Sequence, residues 1–145
     1  MKYVITGAAG NISKPLAEKL LKAGHEVTVI SRHEKNIQSL ISLGAHAAIG
    51  SVEDTDFLTK TFTGADAVYT MVPPHFGATD WKGYIGQIGK NFAAALKNST
   101  VKYVVNLSSV GAHLPEGAGP VSGLYRAEQA LNELKQEKTA AELEL

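Results

Sequence analysis

The chain contains no cysteine, which excludes thiolate nucleophiles, disulfide scaffolds and cysteine-ligated zinc and fits a reducing compartment. It has no surplus of either charge, since 14 Lys and Arg balance 14 Asp and Glu. A neutral chain creates no overall field to gather nucleic acid or an anionic membrane, so neither is expected as a direct partner. Long apolar runs are missing as well: nothing approaches the ~20 residues of a membrane helix. The opening MKYVITGAAG breaks its short apolar run with glycines and does not read as a secretory signal. The expectation is a cytoplasmic protein. His25, His33, His46, His75 and His113 fall at no metal-ligand spacing, and no metal site is expected. What the 145 residues do offer is 44% hydrophobic content and 14 glycines. That is enough for one globular domain burying about two-thirds of its unfolded surface.

Short β-branched runs alternate with longer segments of helical period, the pattern of βαβ units around a parallel sheet buried on both faces. Strands are expected at Tyr3 to Thr6, Val27 to Ile30, Ala45 to Ile49, Ala67 to Met71 and, starting at Val101 or Tyr103, up to Leu107. Between them, Leu16, Leu20 and Leu21 give a first helix that stops at Gly24, and Ile37, Leu40 and Ile41 a second that stops at Gly44. A short third helix over Phe57, Leu58 and Phe62 takes its cap from Asp54 or Thr55, so Glu53-Asp54 is read as a cap rather than an acid/base pair. A fourth helix runs near Trp81 to Asn98, and a last one carries Leu124, Leu131 and Leu134. The expected fold is therefore α/β, a doubly wound parallel sheet of about five strands with helices on both faces. After the last helix, KQEKTAAELEL has strong helix formers and no β-branched run. Residues 135–145 are expected to be a helical or frayed tail following a domain over 1–134. With no sixth strand, the fifth would be left as an open edge through which the chain could form a homodimer or aggregate.

The first strand enters Gly7-Ala8-Ala9-Gly10-Asn11-Ile12-Ser13 and then a helix with Pro15 in its first turn. Such a turn aims backbone N–H groups at a pyrophosphate, and the helix N-terminus adds partial positive charge. Gly7 permits the tight turn, and Gly10 removes a Cβ that would keep phosphate oxygens off the backbone. Ser13, in the place of the usual third glycine, is small enough for close packing, and its hydroxyl could donate to a phosphate. At the end of the second strand, where an acid would select NAD, the chain reads Ile30-Ser31-Arg32-His33. Ser31 and Arg32 can hold a 2′-phosphate instead. The expected cofactor is NADP(H), with NAD the poorer fit.

TGAAGNIS, SRH, GADAVYTMVPP and NLSSVGAH together resemble the atypical, extended branch of the short-chain dehydrogenase/reductase superfamily, and most of all its NmrA-like NAD(P)-binding members. These include NADPH-dependent quinone reductases and catalytically silent redox sensors. The likeness runs from Met1 to about Leu134 and implies a Rossmann fold with strand order 3-2-1-4-5. It omits the C-terminal substrate-binding part of such proteins, so a truncated chain or an incomplete relative without the usual pocket lid is expected. It also implies that Gly7, Gly10, Asn11, Ile12 and Ser13 surround the pyrophosphate, that Arg32 meets the 2′-phosphate, and that Met71, Val72 and Pro73 line the cofactor.

The chain departs from the superfamily pattern in two places. Where an Asp often follows the glycine that ends the third strand, to contact adenine, Gly50 is followed by Ser51. Where a Tyr is followed four residues later by Lys, Tyr125 is followed by Gln129, and an uncharged amide cannot stabilise a tyrosinate. Ser108 and Ser109 fill the superfamily's Ser position, leaving Tyr125, Ser108 and Ser109 as the candidate catalytic residues. The NmrA-like pattern lacks the Tyr/Lys dyad too and often has an acid on this helix, to which Glu128 corresponds. Hydride transfer to a quinone needs orientation more than a protein acid. Two functions are thus implied: an NADPH-dependent oxidoreductase acting on a quinone or similar small acceptor, or a non-catalytic NADP-sensing module acting through a protein partner. His75 and His113 lie in loops leaving the C-terminal ends of strands, where such sheets bind ligands. Trp81 and Tyr84 either cover the nicotinamide side of the crevice or pack within the core or a dimer.

Overall fold

A computed structural model describes residues 1–7, 10, 12–72, 79–108, 121–134 and 139–144, with backbone alone for residues 108, 121–122 and 139–144. Among the described residues six strands and five α-helices alternate in the order β1 (Lys2–Ile5), α1 (Ser13–Lys22), β2 (Glu26–Ser31), α2 (Gln38–Ser42), β3 (His46–Ile49), α3 (Thr55–Phe62), β4 (Ala67–Thr70), α4 (Trp81–Lys97), β5 (Tyr103–Ser108), α5 (Val121–Asn132) and β6 (Thr139–Glu144). A 3-10 turn, Glu34–Ile37, precedes α2. The strands form a single sheet in the order β3-β2-β1-β4-β5-β6, parallel at every pairing. The expected 3-2-1-4-5 order holds, and β1 lies in the middle.

The helix signals act where expected. Asp54 accepts a hydrogen bond from the Phe57 N–H at 3.1 Å and caps α3, as Asp80 does for α4 through the Gly83 N–H at 3.0 Å. Strand alternation divides the sheet residues between two cores. Val4, Val68 and Val104 face α3, α4 and α5 along with Phe62, Phe92 and Leu96. Ile5, Val27, Val29 and Tyr69 face α1 and α2 along with Ala17, Ile37 and Leu40.

The C-terminal expectation is corrected. Residues 139–144 are neither helical nor frayed but make β6, a parallel partner of β5 with register from Tyr103↔Thr139 to Ser108↔Glu144. Local propensity in Thr139-Ala-Ala-Glu-Leu-Glu favours helix. The row of unpaired backbone groups along β5 outweighs it, because strand formation depends on the neighbouring edge more than on intrinsic preference. The β5 edge is consequently paired within the chain and is not the open edge that the reading above would use for association.

Candidate functional site

The glycine turn lies between the C-terminal end of the central strand and the N-terminus of α1, the place where open parallel sheets bind ligands. Gly7 has a φ of +64°, a left-handed conformation that disfavours any Cβ. A Cβ there would also come within 2.9 Å of the Met71 Sδ and Cε. The Gly10 N–H donates to the Gly7 carbonyl at 2.9 Å, and a Cβ on Gly10 would stand 3.1 Å from that same oxygen. Gly7 is therefore favoured by its backbone conformation and Gly10 by a tight approach to the Gly7 carbonyl, and neither puts a side chain between the end of β1 and the N-terminus of α1. Ile12, at the N-cap of α1, gives its helix no side-chain cap. The Lys14 N–H donates to the Gly10 carbonyl at 3.1 Å, and the partial positive charge of the helix N-terminus stands beside the glycine turn. These residues fit a dinucleotide pyrophosphate.

The floor of the glycine turn is fixed from β4. Thr6, fully buried, accepts a hydrogen bond from the Met71 N–H at 2.7 Å and donates its hydroxyl to the Met71 carbonyl at 3.3 Å. This pair ties the end of β1 to the end of β4. Nothing in the local sequence singled out Thr6. Ser13 is also fully buried, and its hydroxyl donates to the Met71 Sδ at 3.9 Å. In this arrangement the small side chain serves close helix packing, and its hydroxyl faces β4. Met71 and Val72 stand half-buried at the end of β4. Asn11, Pro73 and Ser109, and the loop histidines His75 and His113, lie outside the described residues.

A second cluster forms where β2 and β3 end side by side, joined by the Gly50 N–H to the Ser31 carbonyl at 3.0 Å. Ser31 turns the chain here, its hydroxyl donating to the His33 carbonyl at 3.0 Å. Arg32 reaches across to Glu53, with Nη2 at 3.8 Å from Oε2 and both side chains about half exposed. Tyr84 of α4 brings its buried hydroxyl to this pair. Burial raises the Tyr84 pKa above its usual value, the Glu53 carboxylate adds to the rise, and the Arg32 guanidinium opposes it. Tyr84 therefore stands at the β2–β3 side of the sheet and packs against the core, the second of the two alternatives expected for it. Glu53 is the residue that sequence reasoning passed over: it was read with Asp54 only as a helix cap, and no local signal links it to Arg32.

At the other end of the site, Ser108 is the last residue of β5 and Tyr125 stands half-buried on α5. α5 lies close against α4, where a Cβ on Gly89 would meet Ala127. Among the described residues no three His, Asp or Glu side chains gather to hold a metal ion. Among the described residues no helix is long and apolar enough to cross a membrane.

The comparisons agree with this geometry. UDP-glucose 4-epimerase of Streptomyces lividans is 35% identical over 63 residues, 43% of this chain and 19% of the epimerase. The NADPH-dependent quinone oxidoreductase of Escherichia coli, solved with NADPH, superimposes with a TM-score of 0.79 at 19% identity over 98% of this chain and 48% of that one. Triphenylmethane reductase of Citrobacter sp., solved with NADP(H), gives 0.76 at 20% identity over 97% and 48%. The chain thus spans about half the length of these two solved proteins. At these identities the structural likeness establishes the fold alone, one shared with these two proteins. The family is established by the sequence itself: matching the NAD(P)H-binding model from residue 7 to residue 145, the chain belongs to the NAD(P)H-binding family.

Proposed function

We propose that the protein binds NADP(H) in preference to NAD(H) and serves an oxidoreductase of the NmrA-like kind, with a quinone or a similarly flat small molecule as acceptor. The observation that carries the reading is the glycine turn at β1–α1, where Gly7 takes a left-handed φ of +64° and Gly10 packs tightly against the Gly7 carbonyl, in a chain of the NAD(P)H-binding family. The pyrophosphate lies against Gly7 and Gly10, which carry no side chain to keep it off the backbone, at the positive N-terminal end of α1. Arg32 meets the 2′-phosphate with a charge-assisted contact, and Met71 and Val72 flank the path of the cofactor toward the end of β5. When bound, NADPH supplies a hydride that, with one proton from water, takes a quinone to its hydroquinone. The chain's part in this is to orient the reactants and exclude water.

Gln129, one helical turn beyond Tyr125, favours a second reading: a module that binds NADP without turnover and signals through a protein partner. NADPH consumption measured against a panel of quinones separates the two. Oxidation of NADPH supports the reductase, and tight binding without oxidation supports the sensor. For the cofactor itself, NADPH should bind more tightly than NADH, and Arg32→Ala should narrow the gap by about 1–3 kcal/mol, the range for losing a charged hydrogen-bond partner. Equal affinities in the unsubstituted protein would refute the assignment of Arg32.

A further inference from the structure

We propose that Glu53 is a specificity-determining residue, which competes with the dinucleotide's 2′-phosphate for Arg32 and so limits the preference for NADP(H) over NAD(H). The inference rests on the assignment of the β2–β3 end of the sheet to the adenosine half of the cofactor. Glu53 does not hang in solvent by accident. Its N–H donates to the Ser51 hydroxyl oxygen at 3.1 Å, and its carbonyl accepts from the Asn91 Nδ2 at 3.4 Å, as the carbonyl of Val52 does at 3.2 Å. Asn91 is only 8% exposed and is itself held by the Gln87 Nε2, which donates to its Oδ1 at 3.0 Å. The loop after β3 is thus pinned to the long, well-packed α4. Tyr84 and Asn91 are seven residues apart on that helix, so one stripe of α4 supports both Glu53 and its encounter with Arg32.

The chemistry follows from the 3.8 Å separation of Arg32 and Glu53. A phosphate dianion placed on the guanidinium stands next to a carboxylate, which repels it and must give up part of its own contact. A free 2′-hydroxyl meets the reverse situation, since it can donate to the Glu53 carboxylate while the ion pair stays intact. Arg32 therefore favours the phosphorylated cofactor, Glu53 favours the unphosphorylated one, and the ratio of the two affinities is set by their balance. Where an Asp after the third-strand glycine would have supplied the acid, Ser51 now orients Glu53 two residues later.

The test is a fluorescence titration of the whole purified chain with NADPH and with NADH, with thermal melting followed by circular dichroism to check folding. Glu53→Gln should raise the ratio of NADPH to NADH affinity by about 2–5-fold, the size of an exposed charge contact. Glu53→Asp keeps the charge and should move the ratio less, and added salt should shrink the difference between Gln and Glu. Binding of both nucleotides with an unchanged ratio in Glu53→Gln would overturn the role of Glu53 while leaving the cofactor assignment standing. Binding of neither nucleotide to the folded, unsubstituted chain would overturn both.

Discussion

The two faces of the sheet are covered unequally. On one face α3, α4 and α5 bury Leu58, Phe62, Phe92, Leu96 and Ile88 to 1% exposure or less, and the Phe62 and Phe92 rings lie 6.5 Å apart. On the other, α1 and α2 seal Val27, Val29, Ile37 and Leu40 completely, but on β5 only Leu107 packs against this cluster. Tyr103 is left 47% exposed and Val105 38%, and an apolar cleft of about 270 Å³ opens between α1 and the sheet, lined by Tyr3, Ile5, Leu16, Leu20 and Val105 among others. Strands in a parallel sheet are ordinarily buried on both faces. The site spans both regimes. Its Arg32–Glu53 end is braced by α4 from the well-covered face, whereas its glycine turn belongs to the thinner face and is held by the Thr6–Met71 hydrogen bonds.

The sharpest way to break this comparison is to truncate one residue on each face. Phe92→Ala empties a fully buried site and should cost about 3–5 kcal/mol in urea unfolding, while Val105→Ala should cost no more than ~1 kcal/mol. A cost for Val105→Ala close to that of Phe92→Ala would mean that something covers β5 in solution. The next effect concerns how the better-covered face achieves its packing. A Cβ on Gly89 would sit 2.4 Å from Ala127, against 3.1 Å from the Arg126 side chain for Gly86. Gly89→Ala should therefore destabilise by about 1–3 kcal/mol through overpacking. Gly86→Ala should cost less, since a 3.1 Å approach to the Arg126 Cβ asks for a shift of only a few tenths of an ångström and alanine is the better helix former. Equal melting shifts for the two would show that α4 and α5 can separate freely.

What was legible in the sequence follows the same division between local and assembled features. Val4-Ile5 and Val27 to Ile30 announce strands because β-branched residues packed on both faces leave little choice, and Val104-Val105 does so by its β-branched side chains alone. Gly7, Gly10 and the Asp54 cap are also local, each decided by the backbone within a few residues. β6 was not legible, because its strand state comes from the edge of β5 and its own residues prefer helix. The Arg32–Glu53–Tyr84 cluster was hidden for a related reason: its members come from the ends of β2 and β3 and from α4, and only the fold brings them together. The direction of the Ser13 hydroxyl, toward Met71, likewise depends on how α1 seats against β4.

The smallest predicted effect, confined to alkaline solution, again sets the two faces against each other. Tyr69 lies on the thinly covered face and Tyr84 on the other, and both have pKa values raised above 10.0, chiefly by burial. For Tyr69 the neighbouring Ser13 hydroxyl pulls the other way; for Tyr84 the Glu53 carboxylate adds to the rise. A raised pKa in a neutral acid means that the folded protein holds the proton more tightly than the unfolded chain. Well below pH 10 both states are protonated at these residues, and they give stability no pH dependence. As the pH rises past 10 the unfolded chain ionises first, and stability falls through the folded-state values. Tyr69→Phe and Tyr84→Phe should each remove part of that alkaline slope in urea midpoints measured from about pH 9 to pH 11. Because burial is the leading cause for both residues, the two variants should flatten the slope alike even though the helices over them differ. A slope unchanged by Tyr69→Phe but flattened by Tyr84→Phe would show that water reaches the thin face as far as β4.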